Sequence, residues 1–241
     1  MQIYSKTDIG LKRSSNQYSV ATGKLDDGAV FAVVCDGMGG ANAGNVASEM
    51  ASKSISDYIT SSYRSGMDSF EVEKMLKNAI ESANIEIYDM SLKSAEYSGM
   101  GTTAVITVVR GDTAIIAHVG DSRAYMAGEE LMPLTRDHSV VQSLIESGKI
   151  TPEDAKVHPR KNVITRALGA EENVVADSAE FAFPKGSVLM LCTDGLTGYA
   201  DEEDIFAVIK ADNGDIAEEL VKLACAGGGG DNITVVTISN R

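Results

Sequence analysis

Apolar runs rich in β-branched residues alternate with polar breaks along this chain, and several of the runs stop at an acid beside a glycine. Residues 30–40 (VFAVVCDGMGG) read as a buried strand that delivers Asp36 to a sheet edge, where Gly37, Gly39 and Gly40 clear the side chains that would block close approach. The pattern returns at residues 188–193 (VLMLCT), which end in Asp194-Gly195, and at 114–119 (AIIAHV), which end in Gly120-Asp121. It returns again where the glycines of 227–230 lead to Asp231 ahead of a strand at 233–238. Between these strands a helical period takes over. A helix is predicted over 45–61, with Ala47, Ala51, Ile55 and Ile59 on its apolar face. A second starts at Asp68, where Asp68 and Glu71 have the spacing of a capping box, and runs to near Met90.

Short strands at 3–10 and 20–21 flank a polar segment, 11–19, that carries Lys12 and Arg13. Residues 102–110 and 113–119 predict a hairpin through Gly111-Asp112, and 122–127 with 131–134 predict another through Gly128. Consecutive hairpins predict an antiparallel sheet. Residues 135–173 interrupt the strands with a short helix stopped by Gly148 and another that starts at Thr151-Pro152 and ends before Pro159. A helix from Asp201 and a last helix through Ile216, Leu220 and Leu223 precede the final strand. The fold class is α+β. Hairpins in both halves, with helices between them, fit two antiparallel sheets packed face to face beneath helices.

No linker divides residues 1–241, which are predicted as one domain long enough to bury a sizeable core. The apolar runs are strand-length, and the opening residues lack the basic start and apolar core of a signal peptide, so the expectation is a soluble cytoplasmic protein, acting as a monomer, that neither spans nor docks on a membrane. Cys35, Cys192 and Cys225 form no CxxC pair, which points away from a disulfide framework or a zinc site, and Cys35 and Cys192 read as small packing residues. A net charge of −14 argues against nucleic acid as a partner.

That charge includes the four acids Asp36, Asp121, Asp194 and Asp231. One alone reads as an ordinary Asp-Gly turn; repetition changes the odds. If their strands lie in neighbouring sheets, the carboxylates meet on one edge, where they repel unless cations neutralise them. Oxygen-only ligands favour Mg²⁺ or Mn²⁺ over Zn²⁺. A two-metal nuclease would use similar acids but should surround them with basic residues, and a binding module without catalysis is the stronger rival. His118, His138 and His158 read as structural.

The ordered set Arg13-Ser-Ser-Asn16-Gln17, Asp36-Gly-Met-Gly-Gly40, Gly101-Thr102-Thr103, His118-Val-Gly-Asp121-Ser-Arg123, Thr193-Asp194-Gly195 and Asp231-Asn232-Ile233-Thr234 closely resembles the metal-dependent Ser/Thr protein phosphatases of the 2C type (PPM family), in their compact bacterial form. It spans residues 7–239. The resemblance implies a four-layer α-β-β-α sandwich with a flap over about 135–173, anchored by 162–169, beside the active site. It implies Mn²⁺ or Mg²⁺ as cofactor: one ion on Asp36, Asp194 and Asp231, a second on Asp36 and the Gly37 carbonyl, and a third, weaker one on Asp121 with Asp194. A hydroxide bridging the first two would be the nucleophile, with Arg13 clamping the phosphate. The implied substrates are phosphoserine and phosphothreonine proteins, with a cognate bacterial Ser/Thr kinase as the opposing partner. Two positions depart from the wider family. Met38 stands where eukaryotic relatives carry a His thought to protonate the leaving group, leaving water as the proton source. Tyr18 stands where the family has an Asp in the outer shell of the second metal, and a neutral phenol there is expected to weaken that site.

Overall fold

The computed structural model of the chain describes residues 1–39, 43–211 and 214–240, so Gly40 of the first glycine motif lies outside the described residues. The strands form two antiparallel sheets. One runs in the order β1 (Gln2–Asp8), β11 (Ile233–Ser239), β10 (Val188–Cys192), β7 (Arg123–Ala127), β8 (Leu131–Pro133). The other runs β2 (Tyr18–Lys24), β3 (Val30–Met38), β5 (Ala104–Arg110), β6 (Thr113–Val119), β9 (Asp177–Ala182), with the short β4 (Gly101–Thr102) pairing the end of β3.

Helices α1 (Ala43–Ser62) and α2 (Ser69–Lys93) cover the second sheet, while α6 (Glu202–Ala211) and α7 (Ile216–Ala226) cover the first. The layers are therefore α-β-β-α. This explains why the central strands are apolar at nearly every position: each is buried on both faces. In β3, Phe31, Val33 and Cys35 point to α1 and α2, whereas Val30, Ala32 and Val34 point to the opposite sheet. In β10, Met190 and Cys192 pack under α6 and α7, and Leu189 and Leu191 meet Val34, Ile116 and Val236 between the sheets. Each such fully buried aliphatic contributes about 1.5–3 kcal/mol. The Asp68–Glu71 capping box forms as predicted, and a second, Thr151 with Asp154, starts α4 (Pro152–Val157) behind Pro152.

Several expectations are corrected. The run ending at Asp36 does not stop there: β3 continues to Met38 because β4 offers Gly37 and Met38 backbone partners. Strand β2 is seven residues rather than two, starting at Tyr18, which pairs with Asp36. The two consecutive hairpins belong to different sheets, so β5–β6 and β7–β8 do not make one sheet. The chain crosses between sheets at Gly120, whose φ of 103° suits glycine and whose missing Cβ would lie 2.5 Å from the Thr103 methyl. Strand β9 has no counterpart in the predicted elements, since DSAEFA is an exposed edge strand whose weak alternation carries little signal. The 135–173 segment holds α3 (Val140–Glu146) and α4; a bridge between Ser139 and Ile164 closes its base, and another joins Leu168 to Thr102.

Candidate active site

Both sheets end on one cavity of about 480 Å³, and Arg13, Tyr18, Asp36, Asp121, Asp194 and Asp231 all line it. The acids arrive from four places: Asp36 within β3, Asp121 on the crossing between the sheets, Asp194 at the start of the one-turn helix α5 (Asp194–Thr197), and Asp231 ahead of β11. Asp194 thus opens a helical turn, with Thr193 at the N-cap position.

Backbone and hydroxyl contacts fix these positions. Thr103 brackets Asp36, donating its N–H to the Asp36 carbonyl (2.8 Å) while its Oγ1 accepts from the Asp36 N–H (3.1 Å). Ser122 lies 2.7 Å from that same Oγ1, and Thr102 Oγ1 donates to the Asp36 carbonyl at 2.9 Å. Gly37 must be glycine for steric reasons, because a Cβ there would stand 2.0 Å from the Gly44 carbonyl oxygen and 2.5 Å from that of Gln17. Asn232 ties the Arg13 loop to the site: its amide donates to the Ile9 and Ser15 carbonyls (2.9 and 3.0 Å) and its Oδ1 accepts from the Gln17 N–H (2.9 Å). Sequence reasoning gave Asn232 no role. Its only signal was its place beside Asp231.

Asp137 was also missed. It takes two parallel hydrogen bonds of 2.8 Å from the Arg123 guanidinium, a fork-to-carboxylate pair that braces the start of β7 just past Asp121. The histidines divide as the structural reading expected. His118 and His138 stack with ring centroids 4.7 Å apart, and His138 Nδ1 accepts from the Gly120 N–H (3.1 Å). His158 Nδ1 accepts from the Arg160 N–H.

Electrostatics in the cavity are dominated by like charge. Burial, and then Asp194, Asp121 and Asp231, push the Asp36 carboxyl well above the ordinary range, against a hydrogen bond from Tyr18. Asp121 is pushed up to about 7, chiefly by burial and next by Asp194. Asp194 is raised by burial and Asp231, partly offset by hydrogen bonds from Tyr18 and Asp36. Arg13 Nη2 pairs with Asp231 Oδ2 at 2.7 Å, a bond that raises its own pKa. The Tyr18 hydroxyl donates to Asp194 Oδ1 at 3.1 Å, and burial beside these acids holds the phenol protonated.

Such a cluster of hard oxygen donors, mutually repelling and partly withdrawn from water, fits Mg²⁺ or Mn²⁺ in kind. As they stand, no three His, Cys, Asp or Glu side chains among the described residues are gathered closely enough to hold one ion. Two of the acids are engaged by other side chains: Arg13 holds Asp231, and Tyr18 holds Asp194. The structure brings together every predicted site residue, Arg13, Asp36, Gly37, Asp121, Asp194 and Asp231, on one cavity wall.

The family model described as Protein phosphatase 2C matches residues 12–212. Protein phosphatase PhpP of Streptococcus pneumoniae is 37% identical over 243 residues, covering 99% of this chain and 97% of that protein. Serine/threonine phosphatase stp of Listeria innocua is 37% identical over 98% of this chain and 94% of its own length. Among solved structures, the S. agalactiae serine/threonine phosphatase superposes with a TM-score of 0.93 at 36% identity, covering 100% of this chain and 99% of its own. The catalytic domain of the serine/threonine protein phosphatase PstP, in complex with two manganese ions, gives 0.84 at 30% identity, covering 98% and 96%. With a family model over most of its length, full-length relatives above 30% identity and the same α-β-β-α sandwich, the chain belongs to the protein phosphatase 2C (PPM) family and is a Ser/Thr protein phosphatase.

Proposed function

We propose that the phosphatase removes phosphate from phosphoserine and phosphothreonine on proteins with Mn²⁺ or Mg²⁺ held by Asp36, Asp194 and Asp231, a second ion on Asp36 and the Gly37 carbonyl, and a third, weaker one on Asp121 with Asp194. The convergence of four carboxylates and Arg13 on one cavity carries this reading. When bound, the cations would neutralise the acids and acidify a water shared between two of them, so that it serves as nucleophile near neutral pH. The two manganese ions of the PstP domain support a metal requirement.

The protein's own part is positioning. Arg13 is half exposed, with a fork suited to two phosphate oxygens, and it would be free for substrate were Asp231 engaged by a cation. Asn232 and Thr103 keep the loop and Asp36 in place. Met38 offers no proton, so water protonates the departing Ser or Thr oxygen. The opposing activity is a Ser/Thr protein kinase, and a monomer working in the cytoplasm completes the reading. Among the described residues no helix is long and apolar enough to cross a membrane.

The test is hydrolysis of p-nitrophenyl phosphate and a phosphothreonine peptide with Mn²⁺ and with excess chelator. Both activities should vanish on chelation and return with Mn²⁺; activity that survives chelation would overturn the metal assignment.

Tyr18 modifies this reading. Its hydroxyl does not merely leave an outer-shell acceptor missing: it reaches Asp194 itself and occupies one of that carboxylate's acceptor positions. A working but metal-hungry enzyme is expected. Tyr18→Asp should lower the Mn²⁺ concentration for half-maximal rate by about 10- to 100-fold, and Tyr18→Phe should lower it by less. If neither variant shifts that concentration, the phenol does not weaken the site.

A further inference from the structure

A second cavity, of about 280 Å³, opens beside the catalytic one. Met38 and Ile164 line both and separate them. The end of Met38 lies over Gly101, where an added Cβ would stand 3.0 Å from Met38 Cε and 3.7 Å from Ala167 Cβ, and Met38 and Ala167 both line the second cavity. Ala170, Val174 and Val175 continue the apolar wall, and Val175 is 69% exposed, a large aliphatic left open at the mouth.

This wall is held in place from behind. Asn84 on α2 is 1% exposed, and its amide is committed to the loop that carries the wall. It donates to the carbonyls of Glu171 and Glu172 at 3.1 and 3.0 Å and accepts from the Gly169 N–H at 2.8 Å. Leu168 exchanges backbone bonds with Thr102 at 3.1 and 2.9 Å, which ties the floor to the strand beside Gly37. At the far end Arg166 donates to Asp177 Oδ1 at 2.8 Å and to the Val175 carbonyl at 3.3 Å, so its charge is already partnered. The cavity is preformed, with polar Thr165, Glu171 and Asn173 on its lining beside the apolar wall, and it adjoins the phosphate site across Met38 and Ile164, as a subsite for part of a larger substrate should.

We propose that this cavity receives an apolar side chain of the phosphoprotein substrate, such as Leu, Ile or Met, two residues from the phosphorylated Ser or Thr. The inference rests on reading the neighbouring carboxylate cavity as the phosphate site. An extended peptide turns side chains i and i+2 to the same face, roughly 7 Å apart, a step that crosses one side-chain ridge such as Met38. An acidic occupant is disfavoured, because Arg166 is engaged by Asp177, Glu171 stands on the lining, and the whole chain carries −14. A hydrophobic pocket discriminates by size and polarity at about 10-fold or more per side chain.

The test is a phosphothreonine peptide series with Leu, Ala, Lys or Glu placed two residues before or two residues after the phosphoresidue, read as kcat/KM. Leu should exceed Ala by about 10-fold at one of the two positions, and Glu should rank last there. Ala170→Trp, which fills the cavity from an exposed position, and Val175→Lys, which puts a charge at its mouth, should each collapse the Leu-to-Ala ratio toward one. Because the ratio is taken within one enzyme, a general loss of activity cancels. A ratio near one in the unaltered chain, or one that survives both substitutions, overturns the proposal while leaving the metal site intact. Absence of turnover on both these peptides and p-nitrophenyl phosphate with Mn²⁺ would overturn the phosphate-site reading and this inference with it.

Discussion

Asp36→Ala and Asp231→Ala are each expected to lower turnover of phosphothreonine peptides by about 10³-fold or more, beyond the roughly 10- to 100-fold typical of outer-shell losses. Asp36 sits at the centre of the acidic cluster, and three other carboxylates act on it. No neighbouring group can take its place, since the surrounding backbone is packed to contact around Gly37. The two variants should nonetheless differ in KM. Removing Asp231 also releases Arg13 from its 2.7 Å partner, so phosphate binding is retained or improved while kcat collapses. Steady-state kinetics with a melting curve on each variant decides the matter. Asp36→Ala should melt no lower than the parent without metal, because a partly buried, repelled carboxylate has been removed. Near-full activity in Asp231→Ala would show that the metal assignment is wrong.

The metal-free protein should lose thermal stability as pH rises from about 4 to about 7, and Mn²⁺ should restore it. The sign follows from the carboxyls. Asp36, Asp121 and Asp194 all titrate above the ordinary range in the folded chain, because burial and then neighbouring acids disfavour their charged forms. An acid whose folded pKa lies above its unfolded value contributes stability that is complete below the unfolded value and lost as pH climbs through the folded one. For Asp121 that window closes at about 7. A divalent cation reverses the loss by binding the charged forms, and it competes with protons, so its effect grows with pH. At 100 times its Kd it adds about 2.7 kcal/mol, or roughly 5–10 °C in Tm for a chain of this size. Calorimetric scans from pH 5 to 8, with chelator and with Mn²⁺, read both effects. The same scans on Asp121→Asn supply the control, in which part of the metal-free decline should disappear. A Mn²⁺ increment that is absent, or that shrinks with pH, would contradict the carboxylate site.

Much of this protein was legible in its residues, and the reasons are local. The apolar run of β3 and the stripes of α1 and α2 announce themselves because burial on two faces, or on one helical face, dictates a period that a short window reveals. The Asp68 and Thr151 caps are equally local, each formed by residues three apart. The repeated acid-and-glycine breaks pointed to a shared site, and their order along the chain pointed to the family. Strand β9 escaped because an exposed edge strand needs little apolar surface, and β2 was shortened because its pattern is set by pairing with β3 rather than by its own composition.

The chain's own residues thus determined the element types, the double-faced burial and the four acids that carry the chemistry, since each depends on neighbours a few positions away. Only the tertiary structure decided that the consecutive hairpins divide between two sheets, crossing at Gly120, and that Arg13 meets Asp231 and Tyr18 meets Asp194 across more than 170 residues of sequence. It also decided that Asn84 on α2 holds the wall of a second cavity beside the first. Such contacts are fixed by how two sheets pack face to face, and that packing is a property of the assembled core, which no single window of sequence contains.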